Sequence, residues 1–212
     1  MTGPVQSIRA EAFKAVTLPS VVALAVATVA VGAGFGALAR AVGDAPAAVA
    51  VPWIQLTLAG FGATVAGSEL AGGQLRSSLL TVPRRYVFGA AQLTVIALAS
   101  LGLAALAVVS AGVPLTADLV LAVALGGWLG ATATIALAST LGGVVLVATL
   151  AVVATALGPQ SPAALDRMPL DLVMTFTSPS SGPGARGPAI ALAVWYVAGG
   201  VGAGLRLRRD VG

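Results

Sequence analysis

The chain has 212 residues, 58% apolar and 8% charged, with a mean hydropathy of +1.01. Soluble domains carry about a quarter charged residues, so the composition describes one membrane-embedded unit over residues 1–212. Histidine and cysteine are absent and the single lysine, Lys14, follows Phe13, which excludes imidazole or thiolate metal sites, thiol nucleophiles, a Ser-His-Asp triad and a P-loop nucleotide site.

The gaps between charged residues set out the elements. Residues 1–16 mix Arg9, Glu11 and Lys14 with Val5, Ile8, Ala12 and Phe13. This segment reads either as an amphipathic helix at the membrane interface or as a solvated tail. Charge-free runs of 25, 24, 32 and 19 residues follow at 15–39, 45–68, 86–117 and 187–205, each able to hold one span of about 20 residues. The 47-residue run at 119–165 reads as two spans divided near Ser139-Thr140 and Gly142-Gly143 and ended by Gly158-Pro159. The expectation is therefore an all-α membrane protein with six spans at 17–39, 48–68, 86–111, 117–139, 142–158 and 187–205. Ala37-Leu38-Ala39 has the form of a signal-peptidase site, but the 25-residue run before it exceeds the 7 to 15 or so residues of a signal core, so the first span is read as retained.

An even number of spans places both termini on one side, with the 69–85 loop. That side carries Arg9, Lys14, Arg76, Arg84, Arg85, Arg206, Arg208 and Arg209, against Arg40, Arg167 and Arg186 opposite. The positive-inside rule makes it cytoplasmic. No contiguous basic face exists, so nucleic acid is not an expected partner. Three Gly-x-x-x-Gly pairs occur, Gly32/Gly36, Gly126/Gly130 and Gly200/Gly204. Chance predicts about three from 27 glycines in 212 positions, so the motif alone assigns no helix contact.

The segment from Gly67 to Arg85 reads GSELAGGQLRSSLLTVPRR. Leu75, Leu79 and Val82 fall on one side of a short helix, Gly72-Gly73 loosens the chain before it, and Pro83 ends it. On periodicity alone it is equally a bilayer-surface element or a docking element for a partner. The span interiors hold no acid or base; their polar residues include Gln55, Thr57 and Thr64, Gln92 and Thr94, Thr132 and Thr134, and Thr149 and Thr155. An ion-coupled pathway is disfavoured by that absence. Most of the threonines are expected to bond their own helix backbone, whereas Gln55 and Gln92 need a partner helix or a wet cavity.

The 67–85 segment resembles the cytoplasmic link between the second and third spans of type-2 ABC exporter permeases, of the form G-E-x-x-x-G-x-x-R-x-x-L-x-x-P-x-x-R. Glu69, Gly73, Arg76, Leu79, Leu80, Pro83, Arg84 and Arg85 carry the likeness, although Ser68 separates Gly67 from Glu69 and the arginine pair follows Pro83 directly. The resemblance implies an interfacial helix at 1–16, a coupling helix at 69–85 and an enlarged outer segment at 158–186. That outer segment, with Pro159, Pro162, Pro169, Pro179 and Pro183, reads either as short gating helices or as a plain connector. The resemblance assigns Glu69, Gly73, Leu75, Arg76, Leu79, Val82, Pro83 and Arg84 to coupling with an ATPase, and Gln55, Thr64 and Thr149 to the substrate path. It further implies two separate ATPase subunits that hold ATP and Mg, a second permease subunit, identical or related, contact with membrane lipid, and a bacterial plasma membrane. The implied cargo is an amphipathic or hydrophobic compound such as a drug, an antibiotic or a lipid-like molecule. A non-transporting anchor or sensor subunit of an ATPase complex is the alternative.

Overall fold

The structure is a computed structural model that describes residues 4–68, 85–157 and 186–209. Among the described residues seven helices occur in chain order: α1 (Pro4–Thr17), α2 (Pro19–Val42), α3 (Pro46–Gly67), α4 (Arg85–Ser110), α5 (Ala117–Leu137), α6 (Thr140–Leu157) and α7 (Arg186–Arg209).

Short polar or turn-forming signals set the helix ends. Pro19 and Pro46 open α2 and α3 at their first positions, where the missing N–H costs nothing. Gly43 and Gly112, at φ +82° and +73°, close α2 and α4 in the left-handed conformation. Each is followed by a backbone bond that reaches back a full turn, Asp44 N to Ala39 O at 2.8 Å and Val113 N to Val108 O at 3.2 Å, which is the Schellman arrangement. Thr116 caps α5 through Leu119 N at 3.3 Å, with Asp118 in the first turn. The α5–α6 turn is only two residues long. Ala138 takes the left-handed position at φ 50° and Ser139 Oγ accepts from Gly142 N at 3.1 Å.

Among the described residues four helices are long and apolar enough to cross a membrane: Pro19–Val42, Pro46–Gly67, Gly89–Ser110 and Ala117–Leu137. The six-span expectation is therefore corrected to four. The break near Ser139 falls where the sequence placed it. Beyond it the 18 residues of α6 reach about 27 Å at 1.5 Å per residue, just under a hydrocarbon core of about 30 Å, and α7 opens on Arg186 and closes on Arg206, Arg208 and Arg209.

α3 and α5 form the most extensive helix pair, and α5 also touches α4, α6 and α7. One core cluster joins Val51, Ile54 and Leu58 of α3 to Val108 of α4 and Val123 and Leu125 of α5. A second, nearer the start of α2, joins Val21, Phe61, Val65, Ile96, Ile135 and Ala203. Because hydrocarbon offers no solvophobic drive between apolar helices, close backbone approach has to supply the packing. Gly126 and Gly130 of α5 lie against the backbone of Gln55 and Ala59, Gly62 of α3 lies against Gly127, and Gly32 and Gly36 of α2 lie against Ala107 and Ala111 of α4.

Of the 1–16 segment the described part is helical from Pro4, and α1 packs on α4 and α2. Glu11 is buried and pairs with Lys14 at 3.0 Å, whereas Phe13 and Val16 are each 69% exposed. The amphipathic pattern is thus turned so that the carboxylate faces protein and the large apolar groups face out.

Candidate functional site

Glu69, Gly73, Leu75, Arg76, Leu79, Val82, Pro83 and Arg84 lie outside the described residues, as does most of the 158–186 segment. What flanks the first of these segments is fixed. Ser68 closes α3 with its hydroxyl on Val65 O at 2.8 Å, and α4 starts at Arg85. The segment therefore joins two neighbouring spans at the membrane face from which α2 also sets out, called here the α1 side.

Gln55, Thr64 and Thr149 do not converge. Gln55 is buried at the α3–α5 contact and donates from Nε2 to Ala122 O at 2.8 Å. Thr64 is half-buried, and Thr149 is exposed on the outer face of α6. Gln92 is buried on α4 and reaches Val65 O of α3 at 3.4 Å. Both amides thus meet the need for a partner helix by tying spans together. The hydroxyls behave as the sequence suggested at Thr57, Thr94 and Thr132, which bond carbonyls of their own helices, and Thr28 does the same. Ser100 and Thr134, wholly buried, instead lie against Gly127 and Gly143, where weakly polar Cα–H groups face them.

Sequence reasoning missed the contacts that fasten α7. Trp128 Nε1 donates to Tyr196 O at 3.0 Å, and the Tyr196 hydroxyl donates to Leu121 O at 2.9 Å. Gly199 lies against Thr132, and Ala203 packs with Ala131 and Ile135. Successive contacts advance along both helices, so α7 runs parallel to α5 and ends on the α1 side. The spacing of a tryptophan and a tyrosine 68 residues apart gives no signal of this in one sequence.

Between α5, α6 and α7 lies a groove of about 230 Å³, open along one flank. Leu129, Thr132 and Ala136 of α5, Leu146 of α6, and Trp195 and Gly202 of α7 are among its lining residues, none of which is charged. The rest of the outer surface has the same character: Val22, Val26 and Leu38 of α2, Leu98 and Leu106 of α4, and Val194, Val197 and Val201 of α7 are exposed, while Gln55, Gln92, Ser100, Thr132 and Thr134 are inside. Four long apolar helices with bulky aliphatics outward and amides inward suit hydrocarbon as the surrounding medium.

The chain is a multi-span, all-α membrane protein.

No protein-family model, curated protein or solved structure matches it. For Gln55 the expected result of Gln55→Leu is a loss of about 1 kcal/mol, within the range of hydrogen bonds between membrane helices. Thermal unfolding in detergent measures it; an unchanged midpoint would show that the amide adds nothing to the α3–α5 contact.

Proposed function

We propose that the chain is the membrane-spanning subunit of an ATP-driven exporter of the type-2 ABC class. The observation that carries this reading is the GSELAGGQLRSSLLTVPRR segment linking α3 to α4, two adjacent spans, as the coupling segment does in the permeases it resembles. The chain carries no nucleotide loop of its own, so ATP and Mg belong to two partner ATPase subunits, and a second permease subunit completes the assembly. ATP-driven closure of the ATPases biases two arrangements of the membrane subunits, because the nucleotide supplies a differential energy between them. A charge-free span interior suits an uncharged, amphipathic or lipid-like cargo. The described helices provide four spans rather than the family's six, so the likeness rests on the linking segment and not on the span count.

The α1 side is the cytoplasmic face in this reading. Arg9 and Lys14 lie on α1, and Arg76, Arg84 and Arg85 belong to the sequence between the end of α3 and the start of α4, against Arg40 at the opposite end of α2; basic residues concentrate on the cytoplasmic side of bacterial membranes. The outward Phe13 and Val16 of α1 suit burial among lipid head groups. With no native cysteine, Ser77→Cys is expected to react with a membrane-impermeant maleimide only after the membrane is opened, whereas Leu115→Cys reacts in intact cells. The reverse pattern would invert the orientation.

The deciding experiment is purification of the tagged chain from its native membrane in mild detergent. An ABC ATPase is expected to accompany it in equal numbers; a preparation without any ATPase would overturn the assignment. A second reading, an anchor or sensor subunit that binds an ATPase without moving cargo, is favoured by one observation. Gln55 and Gln92, the two amides in the spans, are both spent on fastening helices. ATP turnover stimulated by candidate cargo separates the two, since the anchor would show none.

A further inference from the structure

We propose that the groove between α5, α6 and α7 holds one hydrocarbon chain of an anionic phospholipid, drawn from the leaflet on the α1 side, with its head group at the last turn of α7. The inference concerns lipid occupancy and holds whether or not the chain serves a transporter.

Depth comes first. The α5 residues of the groove run from Leu129 to Ala136 and stop one residue short of that helix's end at Leu137. At 1.5 Å per residue this covers about 12 Å inward from the α1 side, close to one leaflet of a hydrocarbon core of about 30 Å. Lining chemistry comes next. The Thr132 hydroxyl already donates to Trp128 O at 2.9 Å, and the other lining side chains from α5 and α6 are aliphatic. Nothing there asks its occupant for a hydrogen bond, so an extended apolar chain fits without leaving a polar group unpaired.

A volume of about 230 Å³ exceeds the roughly 150 Å³ that accommodates benzene, which gives an acyl chain room, whereas a helix about 10 Å across would seat only its edge there.

Charge selects the head group. α7 runs parallel to α5, and Arg206, Arg208 and Arg209 follow Gly202 in its final turns. They sit about 6 to 10 Å beyond the groove along the helix axis, where the phosphates of that leaflet lie. Three guanidinium groups at a helix C-terminus suit a net negative head group better than a zwitterionic one, since they bind phosphate oxygens in pairs and are attracted by net charge.

The test uses the full chain, delipidated in mild detergent and titrated with phosphatidylglycerol or phosphatidylcholine of identical acyl chains. Native mass spectrometry counts retained lipid, and brominated chains report proximity through quenching of Trp195, assigned with Trp195→Phe. One phosphatidylglycerol per chain is expected, held at least tenfold more tightly than phosphatidylcholine, with its chain quenching Trp195. A Cβ at Gly202 meets no atom within 4 Å, so Gly202→Phe is expected to fold, fill the groove and abolish the tight site; Leu146→Phe is a second filling variant from α6. Replacing Arg206, Arg208 and Arg209 by Gln together is expected to lower phosphatidylglycerol to the phosphatidylcholine level while quenching persists. Equal affinity for the two head groups in the wild-type chain, retention unchanged in folded filling variants, or Trp195 shielded by dimerisation with no lipid bound would each overturn the proposal.

Discussion

Gly130→Val is expected to leave little folded protein. A Cβ on Gly130 runs into the carbonyl group of Ala59, and one on Gly126 or Gly62 meets the backbone of Gln55 or Gly127 in the same way. The obstacle is helical backbone, which cannot swing aside as a side chain does. Over-packing costs about 1 to 3 kcal/mol where side chains can adjust, and here α3 and α5 must part, which also breaks the Gln55 bond to Ala122. The yield of monodisperse protein in detergent should collapse, and any folded fraction should unfold at a clearly lower temperature. Gly102 is the control. It is exposed on α4 with no atom within 4 Å of an added Cβ, so Gly102→Ala should match the wild type or gain up to about 1 kcal/mol in helix propensity. Equal behaviour of the two variants would mean that α3 and α5 do not touch backbone to backbone.

The same glycines mark where sequence reasoning stops. Gly32/Gly36 and Gly126/Gly130 are working contacts within the chain, whereas Gly204 has nothing within 4 Å of an added Cβ and Gly200 meets only the edge of the Trp128 ring. No count separates the three pairs, because spacing records that two glycines share a helix face and not which neighbour that face meets. Helix ends were more legible. Pro19, Pro46, Thr116 and the break at Ser139 act through local chemistry that one sequence displays. Span number was not, since a charge-free run does not tell whether the helix within it is long and apolar enough to cross. The faces of Gln55 and Thr149 were equally hidden: α3 and α6 are apolar nearly all round, so no periodicity shows which side is inward.

Leu79→Asp is expected to remove the ATPase from the purified assembly. In the proposed coupling helix the spacing of Leu75, Leu79 and Val82 would put them on one side. A carboxylate placed there has to be stripped of water when the partner docks, and an unpaired buried charge costs several kcal/mol. Since about 1.4 kcal/mol is a factor of ten in affinity, loss of a hundredfold or more is expected. Leu79 belongs in sequence to the link between α3 and α4, so in the proposed reading insertion and thermal unfolding of the chain itself should stay at wild-type values. Ser78→Asp, on a neighbouring position that the apolar stripe omits, should retain the partner. Copurification at wild-type stoichiometry in Leu79→Asp would move the docking surface elsewhere.

The ring pairs give the molecule an optical ruler. Trp53 lies stacked on Phe35 with centroids 5.1 Å apart, which couples α3 to α2, and Trp128 holds Tyr196 at 5.7 Å, which couples α5 to α7. Each indole therefore emits from a different helix junction, and replacing Trp195 and one of the two by phenylalanine leaves the other as the single reporter. Trp53 also follows Pro52, where α3 lacks one backbone bond and is most easily bent. A red shift confined to the Trp53 signal would locate a movement at that bend, whereas one confined to Trp128 would locate it where the last helix meets α5, all without an attached dye.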